Sequence, residues 1–208
     1  MKQIGIIDYK AGNIRSAVNA IQKVIRDNKL AYEITVSNNM KELRKADLLI
    51  LPGQGAARQA MSSLNDLQLD KVIKNSIEGN KPFLGICIGM QVLFDYSEEQ
   101  NTQCLGILPG KVVKFPKDLG LPIPNIGWRL VESTSRDNQE QIFKDYFYHI
   151  HSYYTLPENE DVVKGTTKYG IEFASIVQTG NILATQFHPE KSGKIGLNFI
   201  YQFLKQYE

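Results

Sequence analysis

Cysteine, histidine and tryptophan are all scarce in this chain. Two cysteines, Cys87 and Cys104, among 208 residues exclude a disulfide framework, and they lack metal-ligand spacing. No metal or other cofactor is expected. With three histidines only, His149, His151 and His188, any Cys/His chemistry must draw on one of them. No apolar run approaches the roughly 20 residues that span a bilayer. The opening Met1-Lys2-Gln3-Ile4-Gly5 reaches Asp8 before the apolar stretch of about 7–15 residues that a secretory signal requires. A chain without signal or span, with its thiols free, is expected to be cytoplasmic. Charge of one sign is lacking too. The 24 basic and 22 acidic residues leave a net +2, which argues against a generic nucleic-acid surface. Nor is there a phosphate cradle, since Gly53-Gln54-Gly55 is no GxGxxG and no Gly-Lys-Ser/Thr loop occurs.

What is present is a change of pattern halfway along the chain. The first half alternates short apolar runs with helix-period segments. Ile4–Ile7, Glu33–Val36, Asp47–Leu51 and Pro82–Ile86 read as strands, the third stopped by Pro52-Gly53. Ile14, Ala17, Val18, Ile21, Val24 and Ile25 recur at helical spacing, Leu64–Glu78 reads as one helix, and Met90–Phe94 starts another. The second half favours strands at Lys111–Phe115, Arg129–Glu132, Tyr146–Ser152, Gly170–Val177 and Ile182–Gln186, with a hairpin turn at Thr179-Gly180-Asn181. A last helix covers about Ile195–Lys205. With 42% hydrophobic residues, 208 residues suit one large α/β domain. The expected fold is a mixed, mainly parallel sheet flanked by helices, with antiparallel strands in the second half.

The most informative stretch is Lys81-Pro82-Phe83-Leu84-Gly85-Ile86-Cys87-Ile88-Gly89-Met90-Gln91. An apolar strand runs into Gly-x-Cys-x-Gly and directly into a helical pattern, the cysteine counterpart of a nucleophile elbow. At so tight a turn, side chains two residues to either side would collide, and glycines at 85 and 89 remove them. The sulfur would sit at the carboxyl edge of the sheet and at a helix amino terminus, which favours thiolate over a thiol of pKa about 8.5. The Ile88 amide follows the nucleophile, where an oxyanion donor is needed. The alternative is a small core cysteine among apolar neighbours.

Downstream lies Gln186-Phe187-His188-Pro189-Glu190. In an extended segment residues i and i+2 point the same way, so Glu190 would share a face with His188 and brace it. Pro189 stiffens the pair. A carboxylate beside an imidazole selects its tautomer and stabilises the imidazolium. By itself His-Pro-Glu also reads as a surface turn. Taken with the elbow, it completes the parts of a Cys/His/acid triad.

Six blocks in order resemble the class I (triad) glutamine amidotransferases, and more closely the glutaminase-subunit family of imidazole glycerol phosphate synthase. They are Ile7-Asp8-Tyr9-Lys10-Ala11-Gly12-Asn13-Ile14-Arg15-Ser16, Leu51-Pro52-Gly53-Gln54-Gly55-Ala56, Gly85 to Phe94, Ile123-Pro124-Asn125-Ile126-Gly127-Trp128, His151-Ser152-Tyr153-Tyr154, and Gln186 to Gly193. The likeness spans essentially the whole chain and implies one type-1 amidotransferase domain over residues 1–208, with a flavodoxin-like sheet. It implies Cys87 as nucleophile, His188 as general base and then acid, and Glu190 as orienter. The substrate would be L-glutamine. Gly53, Gln54, Gly55, Ile88, Gln91, Ser152 and Tyr153 would supply the pocket and oxyanion donors. The implied partner is a (β/α)8 barrel cyclase, forming a heterodimer through Asn13, Trp128, Tyr148 and Lys191. Ammonia passed to that cyclase would yield imidazole glycerol phosphate and an aminoimidazole carboxamide ribotide in histidine biosynthesis. Departures from the family pattern fall at Lys10, Gln54, Ala57, Asn125 and Tyr148-His149-Ile150. The same chemistry serving another acceptor synthase, such as a sugar amidation enzyme, stays open. Plainer readings of single residues stay open as well: Gln91 on an exposed helix face, Tyr153 as strand packing, His151 as a structural histidine, Trp128 as core and Lys191 as solvated.

Overall fold

Apolar runs too short for helices become the central strands, and amphipathic stretches become the helices that cover them. In the computed structural model, which describes residues 1–10, 14–134 and 144–208, the first half runs β1 (Lys2–Ile7), α1 (Arg15–Asn28), β2 (Tyr32–Ser37), α2 (Met40–Lys45), β3 (Leu48–Gly53), α3 (Ala57–Asp66), α4 (Leu69–Glu78), β4 (Phe83–Cys87) and α5 (Ile88–Gln91). The second half runs β5 (Tyr96–Ser97), β6 (Thr102–Gln103), β7 (Gly110–Lys114), β8 (Asn125–Ser133), β9 (Lys144–His151), β10 (Tyr153–Pro157), β11 (Val163–Tyr169), β12 (Ile171–Thr179), β13 (Ile182–Thr185) and α6 (Gly193–Gln206).

The strands form one mixed sheet. Along its main path the order is β2-β1-β3-β4-β13-β12-β10-β7-β5-β6, and β11, β8 and β9 extend from β12 as a branch. The helix-flanked half, β2 through β13, is parallel. Beyond β13 the pairings with β12, β10, β11, β8 and β9 are antiparallel. Every residue of β3 and β4 is buried, as expected of parallel strands covered on both faces. One face packs under α3 and α4 through Leu64, Val72 and Ile73. The other packs under α1 and α6 through Ile21, Val24, Ile200 and Phe203. On α1 the buried residues Ala17, Ala20, Ile21 and Val24 keep the i, i+3, i+4, i+7 spacing of an apolar stripe.

Several expectations need adjusting. Leu64–Glu78 is not one helix: α3 ends at Asp66, and Gln68 takes a left-handed φ of 55° before α4. In an unbroken helix Ile73 would stand nine steps of about 100° from Leu64, half a turn away. The break rephases the second stripe so that both residues reach the same core. Pro52-Gly53 does not stop β3, which runs through Gly53. The helix after the elbow starts at Ile88 rather than Met90 and lasts four residues. The segment Tyr153–Pro157 and the segment Val163–Tyr169 are strands that the pattern of apolar runs missed. The hairpin at Thr179-Gly180-Asn181 is present, with Thr179 opposite Ile182 and Gly180 at a φ of 53°.

The branch strands β8 and β9 turn an apolar face outward. Ile126, Trp128, Tyr146 and Ile150 are exposed there, Trp128 by 48%. No helix of the described residues is long and apolar enough to cross a membrane.

Candidate active site

The site is built where β4 ends. Cys87 closes the strand at φ 55°, ψ −104°, a conformation that side chains rarely adopt, and α5 follows at once. The flanking glycines have the steric cause expected of them. A Cβ on Gly85 would stand 2.5 Å from the carbonyl oxygen of Gly89, and one on Gly89 would overlap the carbonyl oxygen of Leu51. Cys87 is 5% exposed and forms no disulfide.

Parallel pairing of β13 with β4 carries the chain after Thr185 to the same edge of the sheet. His188 arrives there with 2% exposure, its backbone N–H donating to the carbonyl of Tyr148 at 2.9 Å. Its Nδ1 meets Glu190 Oε1 at 2.8 Å, and both side chains are buried. The route to that contact differs from the sequence expectation. Residues 189–191 form a 3-10 turn, so Glu190 curls back to His188 instead of sharing an extended face with it. The other ring nitrogen, Nε2, is buried without a hydrogen-bond partner. Burial opposes a charge on the ring, but the charge of Cys87, followed by Glu190, raises His188 to about 10. A histidine braced by a carboxylate at the sheet edge that carries a cysteine supplies the parts of an activated thiol.

A cavity of about 160 Å³ opens beside the sulfur, lined by Gln54, Gly55, Cys87, Ile88, Gln91, Glu99 and, across from them, Pro124 and residues 150–153. That is below the roughly 300–1,000 Å³ of clefts for drug-sized ligands, and it suits a small metabolite. Gly53 pairs with Cys87 across β3 and β4, and a Cβ there would press on Ile88 Cγ2 at 2.6 Å and on the Tyr9 hydroxyl. Close packing against these side chains explains that glycine.

Gln91 is buried, not on an exposed helix face. Its Nε2 donates to the Tyr153 carbonyl at 3.0 Å and to Gln186 Oε1 at 3.1 Å. Ser152 and Tyr153 line the cavity, Tyr153 as the first residue of β10. Lys191 is half-buried and its Nζ donates to Gln54 Oε1 at 3.4 Å. Trp128 is exposed, not core, and meets Tyr148 edge-on at 6.1 Å between ring centroids. Asn13 lies outside the described residues.

Three groups at the site were given no role by the reading of the sequence. Glu99 lines the cavity while its Oε2 accepts from the Ala57 amide at 2.7 Å, capping α3. Gln186 is fully buried within reach of the sulfur. His151 lines the cavity and forms a buried pair with His149 behind it. The Nδ1 of His151 faces the carbonyl of Tyr153 at 2.8 Å, which only accepts, so Nδ1 carries the proton. The lone pair on Nε2 then accepts from Asn125 Nδ2 at 3.3 Å and from His149 Nδ1 at 3.1 Å. Arg129 Nε donates to Asn125 Oδ1 at 2.9 Å and steadies the group. Alternation along β9 puts 149 and 151 on one face, a signal that was available.

Sheet order brings the cysteine elbow and the braced histidine to one edge of the sheet, and the chain belongs to the glutamine amidotransferase class-I family, whose model matches residues 6–206. Within it, the chain is similar to the imidazole glycerol phosphate synthase subunit HisH of Dehalococcoides mccartyi, 43% identical over 97% of this chain and 96% of that protein. It is equally similar to the HisH of Methanocaldococcus jannaschii, 44% identical over 97% of this chain and 98% of that one. The imidazole glycerol phosphate synthase hisHF of Arabidopsis thaliana is 38% identical over 97% of this chain, which matches 34% of its length. A solved glutamine amidotransferase shares the fold at a TM-score of 0.72, with 18% identity and coverage of 97% of this chain and 98% of its own.

Proposed function

We propose that this chain is the glutaminase subunit of an imidazole glycerol phosphate synthase, one type-1 amidotransferase domain over residues 1–208 that hydrolyses L-glutamine for a partner cyclase. The single observation that carries the reading is a buried His188 braced by Glu190 at the sheet edge where Cys87 lines a metabolite-sized cavity. Full-length identity of about 40% to proteins named HisH supports the pathway.

In this reading the Cys87 thiolate attacks the γ-amide carbon of glutamine. The oxyanion is met by the amides of Ile88 and of the Gly53-Gln54-Gly55 loop. His188 gives its proton to the leaving nitrogen, the C–N bond breaks, and ammonia departs from a γ-glutamyl thioester. The neutral imidazole then takes a proton from water, whose oxygen displaces the thiolate and releases glutamate. Glu190 fixes the ring throughout. The Glu99 carboxylate suits the α-ammonium of an amino acid, while Gln91, Ser152 and Tyr153 hold its other end.

The partner is proposed to be a (β/α)8 barrel cyclase, bound as a heterodimer through Asn13, Trp128, Tyr148 and Lys191. The exposed apolar face of β8 and β9, which carries Trp128, supports a protein partner there. The setting is the cytoplasm. Ammonia passed directly to the cyclase escapes protonation in bulk water.

Cys87→Ala and Cys87→Ser are expected to abolish glutamine-dependent synthesis by the two-protein complex while leaving ammonia-dependent synthesis intact. Product formation from glutamine at the wild-type rate in Cys87→Ala would refute the triad.

A further inference from the structure

The mechanism leaves one fully buried polar side chain beside the reacting sulfur unused. Gln186 follows β13, two residues before His188, at a bend that brings its side chain to Cys87. Its Nε2 lies 3.8 Å from Cys87 Sγ, within reach of an N–H···S hydrogen bond, and the side chain is 0% exposed.

Which end of this amide faces the sulfur follows from the neighbours. The Tyr153 carbonyl only accepts, and it lies 3.0 Å from one end of the Gln91 amide, so that end is Nε2. The second proton of the same nitrogen points to Gln186 at 3.1 Å, which must therefore present Oε1. The NH2 of Gln186 is then turned onto the sulfur. A fixed backbone acceptor thus sets a chain of three groups that ends with a donor aimed at the nucleophile. The chain also consumes both amide protons of Gln91, so only its Oε1 is left for a ligand in the cavity.

We infer that Gln186 is a positioning residue for glutamine hydrolysis, donating to the Cys87 thiolate and holding Gln91 in its ligand-facing orientation. The inference rests on the proposal that Cys87 is the nucleophile. A hydrogen bond to the charged form of a group favours that form, so Gln186 supports thiolate independently of His188. Its two contacts act on different kinetic quantities. The bond to sulfur acts on the chemical step, and the bond to Gln91 acts on substrate binding.

The test uses the full chain with Gln186→Met, which keeps the length and burial of the side chain and removes both bonds, and with Gln91→Met for comparison. Circular dichroism melting establishes that each variant is folded. Cys87 alkylation by iodoacetamide is then followed against pH, and kcat and KM for glutamine are measured in the complex with the cyclase. In Gln186→Met the alkylation profile is expected to move about one pH unit to the alkaline side, kcat to fall about tenfold and KM to rise. In Gln91→Met KM is expected to rise and the profile to move less than in Gln186→Met, because Gln186 keeps its NH2 but loses the partner that sets its orientation. A folded Gln186→Met with the wild-type alkylation profile overturns the inference, as does an equal displacement of the profile in both variants. Should Gln186→Met not fold, the wild-type protein decides: the side-chain NH2 resonance of Gln186 is expected to shift when Cys87 is alkylated, and an unmoved resonance overturns the inference. Alkylation needs no turnover. A wild-type chain inert toward glutamine would therefore sink the functional reading without deciding about Gln186.

Discussion

His188 is under two opposing influences. Burial disfavours its charge, while the Cys87 sulfur and Glu190 favour it, and the second influence prevails to bring the ring to about 10. The folded value lies above the ordinary histidine value of 6.5, so the stabilisation from its charged form is complete below about pH 6.5 and is lost as pH rises through about 10. Glu190→Gln removes one of the raising partners. Its urea stability is expected to trail the wild type at pH 7 and to approach it at pH 10. Glutaminase activity should fall about 10²-fold, the usual contribution of an oriented acid–base group. A stability gap that is constant across that range would show that Glu190 does not act through the charge on His188. At this scale Cys87 was legible because Gly85 is crowded by the backbone of Gly89 and Gly89 by the Leu51 carbonyl of β3, and the two glycines leave a spacing in the sequence. Gln186 was not legible. A glutamine at a strand end looks solvated until a neighbouring strand, a sulfur and Gln91 enclose it.

Among elements, β9 is the unusual one. It buries His149 and His151 on the face opposite its exposed Tyr146 and Ile150. Burial depresses both. For His149 the charges of His151, His188 and Arg129 add to it. For His151 the bond to the Tyr153 carbonyl opposes burial, His188 and Arg129 reinforce it, and the outcome is about 4. Folded values below the unfolded 6.5 mean that stability is held above about pH 6.5 and is lost as pH falls toward 4, where the unfolded chain binds more protons. The urea midpoint is therefore expected to drop steeply between pH 6.5 and 4. His149→Phe should flatten that slope without changing its position on the basic side. An unaltered acid slope in His149→Phe would mean that the pair is already solvated in the folded protein. Element existence was readable from apolar runs in β1, β3, β4 and α1, each of which buries a continuous run or a single stripe. The strand β10 escaped because it is short and pairs with β7 about 40 residues earlier, and β11 because its burial alternates with polar positions and no long apolar run marks it.

For the whole molecule, the antiparallel branch matters as much as the parallel half. It presents Ile126, Trp128, Tyr146 and Ile150 on the outside, while its inner face carries the histidine pair and His188 donates to the carbonyl of Tyr148. A partner bound to this face would press on strands that also line the cavity. Exposed aromatic anchors commonly dominate an interface. Trp128→Ala is expected to weaken cyclase binding by about 2 kcal/mol, or roughly 30-fold in Kd by titration calorimetry, with the melting temperature of the free chain nearly unchanged. Unchanged affinity would move the docking surface elsewhere.

The amino-acid order alone determined the α/β class and the strand-to-helix turn at Cys87. These rest on short-range sterics and periodicity, which act over a few residues and leave their mark in the spacing. Only the tertiary structure decided that β13 lies beside β4, and hence that His188, Gln186 and Cys87 converge. It likewise decided that Gln91 is buried and which way its amide points. Those outcomes depend on strand order and on hydrogen-bond partners brought together from distant parts of the chain, and local preference does not encode them.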